Sequence, residues 1–198
     1  MHAVWPVLSS LGDSRFLLPM AIALMLLQPG ARTPLHRRWR VAIGCAAGIT
    51  VVTKLLFMGW GIGIKTLDFT GISGHAAMAS SIYPVAAWLC AGGRSSRPGA
   101  WAMAGAVLAI AIGYSRLPIG AHSPAEVAAG LMLGLSAAAL TLRRICPGPA
   151  IAGWKPLLAV FLAVLVPVAM QGVRTHELIG RLAMALSERD HALQRSPR

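Results

Sequence analysis

Acidic residues are scarce in this chain: six Asp and Glu stand against 18 Lys and Arg in 198 residues. Carboxylates this sparse do not build the dense oxygen cage that a magnesium or calcium ion takes. Charge of either sign is thin, at 12%, while 56% of residues are hydrophobic and the mean hydropathy is +0.66. That balance excludes an ordinary soluble domain of this size and indicates an integral membrane protein. Aromatic residues make up only 6%. With stacking rings this sparse among the cations, nucleic acid is not an expected partner. The formal charge of +12 is instead expected to serve topology and anionic lipid headgroups. Cys45, Cys90 and Cys146 form no CxxC or other ligand spacing, and two lie inside apolar runs, so they read as small buried hydrophobes. The first fourteen residues lack a basic start and a long apolar stretch, so no cleavable signal peptide is expected.

What the chain does have is apolar runs, at about 14–28, 41–63, 75–92, 100–117, 124–142 and 154–172. A helix needs roughly 20 residues to cross the hydrocarbon core. The expected architecture is therefore an all-α, polytopic membrane helix bundle of about six transmembrane helices. The first run is short and contains Pro19, with Asp13 or Ser14 as its cap, and residues 1–12 are placed along the interface, where Trp5 fits. Residues 1–172 form the membrane domain. Residues 173–198 form a basic tail in which Leu178, Leu182, Ala185, Leu186 and Leu193 recur at helical spacing, the pattern of an amphipathic helix on the membrane surface.

The connections alternate in charge. Arg32, Arg37, Arg38 and Arg40, then Arg94 and Arg97, then Arg143, Arg144 and Lys155 fall on one side; the opposite connections hold only Lys65 and Arg116. The positive-inside rule puts the second set outside the cytoplasm. The arginine-bearing tail weighs against this order, and its side is left open.

Two polar strings sit on that second side. Ser73-Gly74-His75 opens the third apolar run. Ser73 suits a helix cap, Gly74 admits close backbone approach, and the free N–H groups of a helix start attract phosphate. His75 would stand beside such an anion as a proton donor. The second string is Ser115-Arg116, then His122, then Glu126. The fork of Arg116 suits two phosphate oxygens. A carboxylate four residues after His122 is placed to fix its tautomer and leave the other ring nitrogen nucleophilic. Ser123-Pro-Ala-Glu126 is equally a capping box, a purely local use of the same carboxylate. Lys54 lies inside an apolar run, where charge is usually functional, although a lysine there also snorkels to the interface. Lys65, closer to the loop, reads as a solvated cation.

These strings resemble the signature of the type 2 phosphatidic acid phosphatase (PAP2) superfamily of membrane lipid phosphatases: Lys-x6-Arg-Pro, Pro-Ser-Gly-His and Ser-Arg-x5-His-x3-Asp. The third matches at Ser115, Arg116 and His122, with Glu126 in place of Asp. The second matches at Ser73, Gly74 and His75, with Ile72 in place of Pro. The first matches at Lys54 alone, because Gly61-Ile62 stand where Arg-Pro would. The resemblance implies a metal-independent, cofactor-free phosphatase. In it His122 attacks phosphorus, Glu126 orients His122, and His75 protonates the leaving oxygen. Lys54, Ser73, Gly74 and Arg116 hold the phosphoryl oxygens.

The expected protein is thus a bacterial inner-membrane enzyme with its site on the periplasmic face. Its substrate would be a lipid phosphate or diphosphate, such as undecaprenyl diphosphate or phosphatidic acid. A non-catalytic phospholipid or polyprenyl-phosphate binder or transporter, with a degenerate site, is the alternative. A vanadate haloperoxidase-like site shares the motifs, but the apolar runs oppose it. Which lipid is bound, and the oligomeric state, are not readable from the sequence.

Overall fold

The structure is a computed structural model and describes residues 4–28, 34–92, 95–145, 151, 153–169, 175–187 and 191–193. Among the described residues the regular elements are helices: α1 (Val4–Ser10), α2 (Ser14–Leu27), α3 (Pro34–Trp60), α4 (Gly74–Ala91), α5 (Pro98–Ser115), α6 (Pro124–Leu142), α7 (Lys155–Ala169) and α8 (Thr175–Ser187). A short 3-10 turn, Lys65–Leu67, and an isolated bridge between Ile64 and Phe69 close the loop after α3. The fold is all-α, as the hydropathy runs required.

The starts of these helices are written in the sequence. Prolines open α3, α5 and α6, where a missing N–H has no helical partner to lose. Asp13 caps α2, accepting from the Arg15 amide at 2.8 Å. Pro19 is accommodated within α2.

Three helices, α3, α5 and α6, are each long and apolar enough to cross a membrane, and the pair α1–α2, bent by 42°, makes a fourth if taken as one span. The six expected runs correspond to α2 through α7. Helix α7 has 15 residues. Helix α4 is long enough at 18 residues, but nearly all of it is buried, including Ala76, Ala77, Ser80, Ser81, Ile82 and Leu89. Neighbouring helices cover it, so it has little need of lipid-matching hydropathy. Outer faces behave in the opposite way: Val52, Val107, Leu140, Leu157 and Phe161 are exposed, as suits surfaces against lipid tails.

Small residues let helices close on α4. A Cβ added to Gly134 of α6 would lie 2.0 Å from Ser80 Oγ and 2.3 Å from the Ala77 carbonyl; one on Gly130 would lie 2.7 Å from the Ser73 carbonyl. The Gly130–Gly134 pair is therefore spent inside the chain, on the α4–α6 crossing. Deeper in the bundle Trp39 is fully buried and donates its indole N–H to the Ser81 carbonyl at 3.1 Å.

From α2 to α6 successive helices reverse direction. The starts of α3 and α5 and the end of α6 share one end of the bundle, where Arg38 Nη1 donates to the Arg143 carbonyl at 2.8 Å. The opposite end holds both polar strings. Helix α8 joins that second end: Ile179 and Ala183 pack on Met58 near the end of α3, and the Leu193 amide donates to the Met58 carbonyl at 2.9 Å. Within the expected tail, α8 covers Thr175–Ser187 and lies on the side of the polar strings, while Leu193 falls outside the helix. Leu178, Leu182 and Leu186 stay exposed along one flank, with Arg181 and Glu177 on another, which suits an interfacial helix. The expected domain boundary at 172/173 lies outside the described residues, as do Arg32, Arg94, Cys146 and the tail arginines other than Arg181.

One expectation needs correction. Cys45 is exposed, because its position on α3 turns away from α4 and toward the lipid-facing side; Cys90 is half-buried.

Candidate functional site

Three stretches distant in sequence are bonded together at one end of the bundle. The Ser73 amide donates to the Glu126 carbonyl at 3.1 Å, tying the start of α4 to the start of α6. The Ile72 amide donates to Thr53 Oγ1 at 3.2 Å, tying the same loop to α3. Gly71, at φ +144°, passes over Lys54 so closely that a Cβ there would lie 3.0 Å from Lys54 Cγ.

Glu126 is the hub. Its side chain is fully buried. Oε1 accepts from the Thr70 amide and from Thr70 Oγ1, both at 2.6 Å; Oε2 accepts from the Ser123 amide at 3.1 Å and meets His122 Nδ1 at 2.7 Å. The Glu126 amide donates in turn to Ser123 Oγ at 3.3 Å, completing the capping box. The two readings of this carboxylate are therefore not rivals: one side chain caps α6 and grips His122. An ionised carboxylate only accepts, so His122 carries its proton on Nδ1 and keeps the lone pair on Nε2. Burial holds the His122 imidazole below its ordinary range; the bond to Glu126 opposes that shift, while Lys54 and Arg116 add to it.

Arg116 caps the end of α5, and its guanidinium turns inward, where Nη1 donates to Ser9 Oγ on α1. His75 stands in the first turn of α4 and interacts electrostatically with Arg116, Lys54, His122 and Asp13. Lys54 bends toward the start of α4, its Nζ lying 3.9 Å from where a Cβ on Gly74 would sit. The structure thus brings Lys54, Ser73, Gly74, His75, Arg116, His122 and Glu126 into one neighbourhood. Lys65 is exposed on its loop, outside this cluster.

Ser73 differs in detail from its expected role. It occupies the N-cap position of α4, but its hydroxyl makes no capping bond. Among the described residues, the buried side-chain nitrogen and oxygen atoms without a protein partner are Ser73 Oγ and Arg116 Nε. A buried donor left unmade is expensive, so two of them at one site mark a place prepared for an acceptor. Phosphate oxygens meet that need, and the surrounding cations favour their charge. No group of three His, Cys, Asp or Glu side chains placed to hold a metal ion occurs among the described residues.

Thr70 is the residue that spacing rules missed. It locks one oxygen of Glu126 from 56 residues away, and nothing in its local sequence marks it. Ser9 on Arg116 was missed for the same reason, at a separation of 107 residues.

A family model described as the PAP2 superfamily matches residues 54–145, a span that begins at Lys54 and includes every residue of the cluster, while Ser9 and Asp13 lie before it. A protein of Klebsiella pneumoniae, described as an uncharacterized 22.5 kDa protein in the cps region, is 37% identical over 203 residues, covering 97% of this chain and 96% of that protein. No solved structure matches the chain.

Proposed function

The chain belongs to the PAP2 superfamily, and from that premise we propose that it removes phosphate from a membrane lipid phosphate or diphosphate through a phosphohistidine on His122. The observation that carries this reading is the pair of unspent buried donors, Ser73 Oγ and Arg116 Nε, beside an imidazole whose Nδ1 is already committed to Glu126.

In the proposed sequence the phosphoryl group enters among Lys54, the Gly74 amide, Ser73 and Arg116. His122 Nε2 attacks phosphorus as the bond to the lipid oxygen breaks. Glu126 stabilises the positive charge that develops on the ring. His75 gives its proton to the departing oxygen; the arriving phosphate anion favours the imidazolium needed for this. Water then attacks phosphorus, returns a proton to His75, and breaks the phosphorus–nitrogen bond, releasing inorganic phosphate. Lys54 and Arg116 neutralise charge that grows on the equatorial oxygens. The absent Arg-Pro of the first motif removes one cation from this set, and the donors that remain hold the phosphate.

Location follows the same reasoning. With the arginine-bearing end in the cytoplasm of a bacterial inner membrane, the site faces the periplasm and meets headgroups where they lie. The substrate's tail then never leaves the bilayer.

The test is phosphate release by detergent-purified protein from a panel containing a polyprenyl diphosphate, phosphatidic acid and a soluble phosphomonoester. Release from a lipid member that His122→Ala abolishes is the expected result. Full turnover by His122→Ala would remove the assigned nucleophile. Binding of lipid phosphates with no release by the wild type would make the protein a binder or transporter.

A further inference from the structure

Helices α1 and α2 lie outside the span matched by the family model, yet their junction reaches into the site. We propose that Ser9 is a positioning residue for Arg116, and that the α1–α2 elbow forms the wall against which Arg116 and His75 are set for an oxyanion. This inference rests on the reading of Arg116 as a phosphate ligand.

Ser9 is the buried residue of α1. Its hydroxyl accepts from Arg116 Nη1. A guanidinium is a rigid plane, so fixing one terminal nitrogen fixes the direction of every other N–H. With Nη1 committed to Ser9, the side formed by Nε and Nη2 is the fork left for two oxygens of one anion, and Nε is the buried donor that has no protein partner. Ser9 thus selects which edge of the arginine faces the phosphate.

The elbow that follows Ser9 touches the second functional group. A Cβ on Gly12 would lie 3.2 Å from both Cβ and Cδ2 of His75, and 2.6 Å from Ile112 Cγ2, so the backbone itself backs the imidazole. Asp13, next in the chain, acts electrostatically on both His75 and Arg116. It stays out of the phosphate position because Arg15 holds it, Nη2 to Oδ2 at 2.7 Å. Two further contacts keep the elbow in place: Tyr83 donates its hydroxyl to the Leu11 carbonyl at 2.9 Å, and Trp5 stacks edge-on against Tyr114 with ring centres 5.8 Å apart.

The experiment measures inorganic phosphate binding by calorimetry on detergent-purified full-length protein, alongside KM and kcat for a lipid phosphate. Ser9→Ala is expected to weaken the phosphate Kd about tenfold, the scale of one hydrogen bond to a charged group, and to raise KM by a similar factor with kcat within about threefold. Ser9→Thr, which keeps the hydroxyl, is expected to restore both. Ser10→Ala, at an exposed hydroxyl bonded to the Val7 carbonyl, is expected to match wild type. In an Arg116→Ala background the Ser9 change is expected to have no further effect. Unchanged phosphate affinity in Ser9→Ala, or the same tenfold loss without the guanidinium, would overturn the proposal. A wild type that binds phosphate but cleaves no lipid removes the catalytic reading alone; one that binds no phosphate removes both.

Discussion

The two ends of the bundle use their cations in opposite ways. At one end Arg37, Arg38, Arg40, Arg97, Arg143 and Arg144 are all exposed. At the other, Lys65 and Arg181 are exposed too, but Lys54 and Arg116 are drawn into the protein beside His75 and His122. An exposed arginine keeps its hydration and acts on whatever headgroup or topology signal is outside. A withdrawn cation loses hydration and needs an anion in exchange. The protein supplies few: Glu126 is occupied by His122, Thr70 and Ser123, and Asp13 is gripped by Arg15. Both ends therefore carry excess positive charge, but only at the inward end is it withdrawn from water, which is where the proposed phosphoryl group would offset it.

Removing the proposed nucleophile is the harshest way to break the contrast. His122→Ala is expected to reduce phosphate release by roughly 10³-fold or more, the scale seen when a covalent nucleophile is deleted elsewhere. Phosphate binding should weaken far less, because Arg116, Lys54 and Ser73 remain. Single-turnover phosphate release beside phosphate calorimetry separates the two. A variant that loses both together would show that the inward end is held up by His122 as structure.

Next in size is the hub. Glu126→Gln keeps the shape but puts a neutral amide against Nδ1 and Thr70, and a loss of roughly 10²–10⁴ in kcat is expected, the range for a mis-set imidazole in a comparable triad. Thr70→Val deletes one of the two bonds to Oε1 while the amide bond survives, so about tenfold is expected, or about 1.4 kcal/mol. Rates for these two variants rank the hub's contacts. An equal loss from both would mean that the Thr70 hydroxyl, not the carboxylate charge, sets the ring.

This hub also shows what the sequence does and does not carry. The His122–Glu126 pair follows from a four-residue spacing that one helix start converts into contact, and the capping box follows from Ser123 and Glu126 at three. Short-range geometry of this kind is legible because backbone periodicity fixes it. The run lengths likewise yield the helices from α2 to α7, and the arginine distribution sorts them into two ends. Thr70 on Glu126 and Ser9 on Arg116 are joined by folding alone across 56 and 107 residues, so no local rule points to them. The side taken by α8 is of the same kind. Leucine spacing gives an amphipathic helix, but only Ile179 and Ala183 seated on Met58 assign it to the end that bears the site.

The pH profile sharpens the comparison more gently. In the proposed reaction attack requires an unprotonated Nε2, so kcat/KM is expected to fall as pH drops through the His122 pKa. Burial places that midpoint below the ordinary histidine value of 6.5. Lys54 disfavours the imidazolium, so Lys54→Met raises the pKa and moves the acid limb to higher pH. Glu126 favours the imidazolium, so Glu126→Gln moves the limb to lower pH. Opposite displacements in the two variants, each measured on residual activity from about pH 4 to 9, are the expected outcome. Displacement in one direction for both would detach the acid limb from His122.

The smallest effect belongs to the exposed end. Arg97→Ala and Arg143→Ala each remove a solvated charge roughly 27 Å from the site, taking the 18 residues of α4 as the measure of separation. The Arg143 carbonyl that accepts from Arg38 belongs to the backbone and survives the change. Activity is expected to stay within about twofold and stability within about 0.5 kcal/mol, the usual range for surface substitutions. Orientation is the property these residues are expected to govern collectively, so replacing Arg37, Arg38 and Arg40 together by Asn should scramble insertion, read by accessibility of a reporter fused after Ser187, while correctly inserted molecules keep their turnover. A tenfold loss from either single variant would mean that charge at the outward end is felt at the phosphate, and that the two ends are not independent.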